Sequence, residues 1–201
     1  KRDWSSDVCS SDLDEASPHR QLAAVGVAFL LTVGLNRALR RAGWYGTARK
    51  EPDLREWLDL VALGTICDVV PLTGVNRALV AQGLKMMAQR RNIGIKALAD
   101  VARLTEAPGT YHAGFLLGPR VNAGGRVGES DLGVRLLTTA DEDEARSLAR
   151  HLDELNRQRQ EIEARVLDEA LAQAERKGGG NKPPLILDRK STRLNSSHVS
   201  E

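Results

Sequence analysis

The chain has 201 residues, 29 Lys and Arg against 27 Asp and Glu, a net charge of +2, 41% hydrophobic residues and 3% aromatics. That length and apolar share suit one large or two small globular domains and exclude wholesale disorder, while the near-neutral balance gives no bulk electrostatic drive toward DNA or a membrane. Two cysteines, Cys9 and Cys67, exclude a disulfide scaffold and suit a reducing, cytoplasmic setting.

Both ends differ from the middle. Residues 1–13 hold four serines and residues 188–201 hold four more, whereas only Ser17, Ser130 and Ser147 lie between them. Neither end shows apolar periodicity. Residues 1–13 and 188–201 are therefore read as non-native or disordered tails and set aside.

Gln21–Arg41 is apolar on nearly every face through Leu31, the pattern of a buried helix. Its longest apolar run, Leu22–Leu35, is too short to span a bilayer. It turns basic at Arg37, Arg40 and Arg41 and stops at Gly43. Leu54–Val70 follows, with Leu54, Trp57, Leu58, Val61, Ala62 and Thr65 at helical spacing and Pro71 as its stop. Val75–Arg91 is amphipathic, with Leu79, Leu84, Met86 and Met87 as core candidates, and Ile95–Leu104 is a shorter helix. Thr110 is expected to cap a short helix through Leu117.

Residues 118–130, GPRVNAGGRVGES, read as a loop before a helix over Asp131–Thr139. Asp141 and Glu144 then make a capping-box-like start, and no Gly or Pro follows until Gly178. That helix could reach Lys177, about 55 Å long. Ala145, Leu148, Leu152, Leu155, Ile162 and Val166 form its narrow seam, interrupted by Arg159. A helix of this kind is a coiled coil or a strut between domains, and the short seam favours the strut. RKGGGNKPP reads as a linker, with Leu185–Leu187 as the first strand of another domain.

Two stretches could carry chemistry. Asp68 lies in LDLVALGTICDVVPL, where an apolar neighbourhood makes an isolated carboxylate costly. A hydrogen bond, a capping role or a cation would each offset that cost, and the residues leave all three open. The second stretch is Pro119-Arg120-Val121-Asn122-Ala123-Gly124-Gly125-Arg126. Its arginines offer forked donors suited to phosphate, its glycines allow close approach and φ > 0, and a helix start lies nearby. A Gly-rich turn with solvated arginines has the same pattern. The dinucleotide and P-loop signatures are absent, and His19, His112 and His151 lack metal-ligand spacing. Cys67 reads as a small buried hydrophobe.

Together these stretches resemble the single-strand-specific DNA exonucleases of the DHH phosphoesterase superfamily. The likeness covers about residues 15–187 and rests on residues 18–31, 58–84, 114–137 and 152–163. It implies a mainly α fold here: the C-terminal part of an α/β DHH domain over 14–139, a connector helix over 140–177, and a linker opening a second, DHHA1-type domain over 178–187. It makes Asp68 a metal-binding, catalytic aspartate in the GTxxDxxPL stretch. It makes Arg120, Asn122, Gly125 and Arg126 nucleic-acid-binding. Gly124 departs from the alanine common in that motif. The implied cofactor is Mn²⁺ or Mg²⁺, the implied partner is single-stranded DNA cut from the 5′ end, and the implied whole protein is a monomer.

No DHH string occurs in the chain, and by the resemblance the superfamily's upstream DxD and DHH motifs are missing. The resemblance therefore implies a fragment of a larger nuclease, inactive by itself, with open apolar surface where strands would cover Leu22–Leu35. Two other functions fit the same residues: a superfamily phosphoesterase for short oligonucleotides or nucleotides, and a non-catalytic helical module associating through the Leu148–Leu155 seam.

Overall fold

The computed structural model describes residues 17 and 19–176, with only the backbone path for 174–176. The tails, the 178–187 linker and the Leu185–Leu187 strand lie outside the described residues. The described chain is mainly α and contains no strand. In order it forms α1 (Ala24–Arg41), a 3₁₀ turn (Leu54–Trp57), α2 (Leu58–Cys67), α3 (Gly74–Ala88) and α4 (Ile93–Val101). A π-helical turn (His112–Leu117), α5 (Gly118–Val127), α6 (Leu132–Thr138) and α7 (Glu142–Arg176) follow.

The core forms where α7 packs on α4, α5 and α6, and α2 lies along α3. Leu98, Leu117, Leu136 and Leu152 are fully enclosed there, each contributing about 1.5–3 kcal/mol of apolar burial. The proximal half of the α7 seam is part of this core: Ala145, Leu148, Leu152 and Leu155 are all buried. That seam is used within the chain and is not available for a coiled coil or for self-association. Farther along, Leu167 and Leu171 are exposed.

The first four helices depart from expectation in two ways. First, α1 is not a buried helix. It rests on α2, only Gly26 and Asn36 along it are buried, and Leu31 and Leu35 are 74% and 57% exposed. Its uniform apolarity exceeds what one neighbouring helix can cover, so Val27, Leu31, Val33 and Leu35 are exposed, whereas Leu22 and Ala23 at the start of the run are buried. Its end follows the expected chemistry: Gly43 has φ +69°, and Trp44 N–H donates to the Leu39 carbonyl at 3.0 Å. Second, three helices stop earlier than their apolar patterns. Val69, Arg90 and Arg103, at φ +57°, +53° and +56°, reverse the chain after α2, α3 and α4. Non-glycine residues in this region are rare, so no glycine marks these ends.

The start of α7 is a relayed capping box. Asp141 Oδ1 accepts from Asp143 N at 2.7 Å and from Glu144 N at 3.0 Å. Thr139 Oγ1 donates to Glu144 and accepts from Asp141 N, so the reciprocal bond passes through Thr139. The two backbone donors hold the Asp141 carboxyl below its ordinary pKa. Because the folded value is depressed, the stabilisation is present above the unfolded pKa and is lost as pH falls through the folded one. Acidification is therefore expected to loosen the first turn of α7. Asp141→Asn, which caps without titrating, should flatten the acid-side fall in melting temperature measured by circular dichroism.

A candidate nucleic-acid interface at the junction of three helices

The Pro119–Arg126 stretch is helical, not a loop. Thr110 is already in helical conformation rather than capping, and the helix continues through the π turn into α5. Proline would normally break such a run, because it has no N–H and its ring collides with the preceding turn. The π turn widens the ladder directly ahead of Pro119, and the proline sits in the first turn of α5. The glycines act by being small. A Cβ on Gly118 would fall well inside 3.0 Å of Cys67 Sγ, and one on Gly124 would press Leu132 and Leu152 at 3.2 and 3.1 Å. The positive-φ glycines of the described chain are Gly43 and Gly74, neither of them in α5.

This geometry separates the two arginines. Arg120 is turned inward, its side chain 16% exposed, donating from Nε to Asp153 Oδ1 on α7 at 2.8 Å and from Nη1 to the Leu116 carbonyl at 2.7 Å. It clamps α5 to α7. Arg126 is exposed and has no ion-pair partner among the described residues. With Asn122, one helical turn earlier, it lines a cleft of about 270 Å³. Cys67 at the end of α2, Gly114, Gly118 and Pro119 line it too, as do Arg159 and Glu163 of α7. Gly125 lies on α5 between Asn122 and Arg126, half-buried, and a Cβ there would meet nothing within 4 Å.

Asp68 follows Cys67 directly, so its helix end borders this cleft. It is exposed and is the C-terminal cap of α2. Val69 beside it is 87% exposed and holds φ +57°, a strained conformation for a β-branched residue. The strain turns the chain immediately after the carboxylate. The Cys67 thiol is pushed above its ordinary pKa, first by burial and then by the Asp68 charge, so it stays protonated at neutral pH and is no nucleophile. A divalent cation needs several donors. Among the described residues no three His, Cys, Asp or Glu side chains converge on one point. Asp68 can supply one ligand; these residues do not make a metal site by themselves.

Sequence reading missed Arg159 and Glu163. The signal was present in Arg159, an arginine set in an otherwise apolar seam, but it looked like a defect in the seam.

The chain and its mainly α scaffold have counterparts among known proteins. No family model matches the chain. It is 48% identical over 161 residues to the single-stranded-DNA-specific exonuclease RecJ of Dickeya dadantii, a match covering 79% of this chain and 28% of that protein. It is 46% identical over 162 residues to the Escherichia coli protein of the same name, again 79% and 28%. Among solved structures, Thermus thermophilus RecJ in complex with Mg²⁺ superposes with a TM-score of 0.63 at 39% identity, covering 74% of this chain and 22% of that one. An exonuclease RecJ bound to manganese superposes with a TM-score of 0.63 at 37% identity, covering 81% and 38%. The fold of the described residues is thus that of the matching segment of RecJ structures, of the DHH family. Over about four fifths of its length the chain is similar to RecJ proteins. It spans about a quarter of the length of the curated relatives it matches. No described helix is long and apolar enough to cross a membrane.

Proposed function

We propose that this chain forms part of a metal-dependent 5′–3′ exonuclease that hydrolyses phosphodiester bonds of single-stranded DNA, working in the cytoplasm. In this reading residues 14–139 belong to the catalytic DHH domain, 140–177 connect it onward, and 178–187 lead into a second domain. The observation that carries the reading is the meeting of the GTxxDxxPL helix end with the PRxNAxGR helix at one cleft. Asp68 would contribute one ligand to Mn²⁺ or Mg²⁺, and the bound cation would supply charge neutralisation and water activation at the phosphodiester. Asn122 and Arg126 hold the strand's backbone with a neutral donor and a guanidinium fork. Gly125 lets the strand approach the helix backbone closely. Arg120 acts at one remove: its bond to Asp153 sets the distance between α5 and α7, which are the cleft walls.

The test separates those two arginines. A fluorescein-labelled single-stranded oligonucleotide is expected to bind the chain, with affinity falling as salt rises. Arg126→Met should weaken binding about tenfold without moving the melting temperature, since one charge-assisted contact is worth that much. Arg120→Met should lower the melting temperature, because it leaves Asp153 half-buried without its cation. Tighter binding to a dinucleotide than to the long strand would assign the site to short substrates instead.

A further inference from the structure

Arg159 is costly where it stands. It occupies a seam position on α7, its side chain is 16% exposed, and an aliphatic residue there would extend the apolar stripe. Its placement is nevertheless specific. Nε and Nη2 donate to Asn156 Oδ1 at 3.3 and 3.1 Å, and Nη1 donates to Glu163 Oε1 at 2.5 Å. Asn156 is itself 3% exposed, so the guanidinium is held from behind by a fixed acceptor. Among the described residues these partners take three of its five N–H donors. Arg159 lines the same cleft as Asn122 and Arg126, on α7 where they are on α5.

We propose that Arg159 is a second backbone-phosphate contact, acting with Arg126 across the α5–α7 cleft, and that Glu163 holds its place until a phosphate arrives. This rests on the nucleic-acid reading of the cleft and adds to it a residue from the long helix. The charges around Arg159 in the cleft are Arg126 and Glu163, with Asp68 next to the lining residue Cys67. Among the lining residues two guanidinium forks stand against one carboxylate, a set suited to a phosphodiester with two non-bridging oxygens. Displacing Glu163 costs little. It is 46% exposed and four residues along the same helix, and a pair of that kind is worth a factor of about two. The long helix is then a wall of the binding site as well as a connector, and its register against α5, set by Arg120 and Asp153, places one phosphate contact relative to the other.

The experiment uses the whole chain and a fluorescein-labelled twelve-residue oligothymidylate, read by anisotropy across a salt series. Arg159→Met is expected to weaken binding about tenfold and to reduce the slope of log affinity against log salt by about 0.7, one phosphate contact on a single strand. Arg159→Lys should restore the slope and part of the affinity, since it keeps the charge and loses the fork. Glu163→Gln should tighten binding about twofold. Arg146→Met, removing an exposed charge near the start of α7, should leave the slope within error. Weaker binding with an unchanged slope would make Arg159 purely structural and overturn the inference. Loss of binding in Arg126→Met with none in Arg159→Met would also overturn it while leaving the proposed function standing. No binding by the unaltered chain would remove the nucleic-acid reading and this inference with it.

Discussion

Gly83→Ala is expected to destabilise the chain by about 3 kcal/mol or more and to broaden its thermal transition. In a helix interior, alanine is ordinarily the better residue by about 1 kcal/mol. Here α3 lies so close to α2 that an added Cβ would sit inside 3.0 Å of the Leu58 carbonyl oxygen, the Leu58 carbonyl carbon and Ala62 Cβ. Two of those three atoms are backbone, so no side-chain rotation relieves the overlap, and the helices must separate. Separation would open the layer around Val61, Ala62 and Val80 and displace the helix that ends at Asp68. Gly125→Ala is the matched control. Its Cβ would meet nothing within 4 Å, so the helix-propensity gain should appear undiminished. Melts of both variants by circular dichroism check this. A Gly83→Ala chain that melts as the unaltered one does would mean the α2–α3 spacing is not set by that glycine.

These glycines also show what a sequence can and cannot disclose. Apolar periodicity located α1, α2, α3, α4 and α7, because burial of one face leaves a repeat that survives any detail of packing. The ends were harder. The α2, α3 and α4 helices end at Val69, Arg90 and Arg103 in left-handed conformation, and nothing in those side chains announces a turn that glycine usually makes. The Gly-Pro and Gly-Gly pairs of α5 misled in the opposite direction. They carry the composition of a loop, yet Gly118 and Gly124 are there for contact with Cys67, Leu132 and Leu152, and the π turn absorbs the proline. Contacts of that kind depend on how other helices pack against α5 and leave no local pattern. The same holds for the candidate site. Asp68, Asn122 and Arg126 were legible because their motifs are local. Arg159 and Glu163 were not, because only the packing of α7 on α5 brings them to the cleft. Arg120 and Arg126 look equivalent in sequence, and Asp153, 33 residues beyond Arg120, is what distinguishes them.

Asp68→Asn is expected to reduce Mn²⁺-dependent hydrolysis of single-stranded DNA by about a hundredfold or more, when these residues are joined to the remaining length that their relatives possess. Asparagine preserves the shape of the side chain and one oxygen but removes the charge a divalent ion requires. Asp68 is exposed at a helix end, so the substitution should leave the melting temperature unchanged, and lost activity can then be read as lost ligation. Titration of Mn²⁺ by calorimetry gives an independent reading: the variant should bind the ion more weakly even where no DNA is present. The 201-residue chain by itself is expected to show no cation-dependent hydrolysis above background. One carboxylate cannot hold a catalytic cation, and no triad of His, Cys, Asp or Glu converges among the described residues. The chain should nonetheless bind DNA, because Asn122, Arg126 and the wall contributed by α7 are all present. Binding and hydrolysis are thereby separable. Nuclease activity in the chain alone would show that a metal site is completed within it, and full activity of the joined Asp68→Asn protein would remove Asp68 from the ligand set.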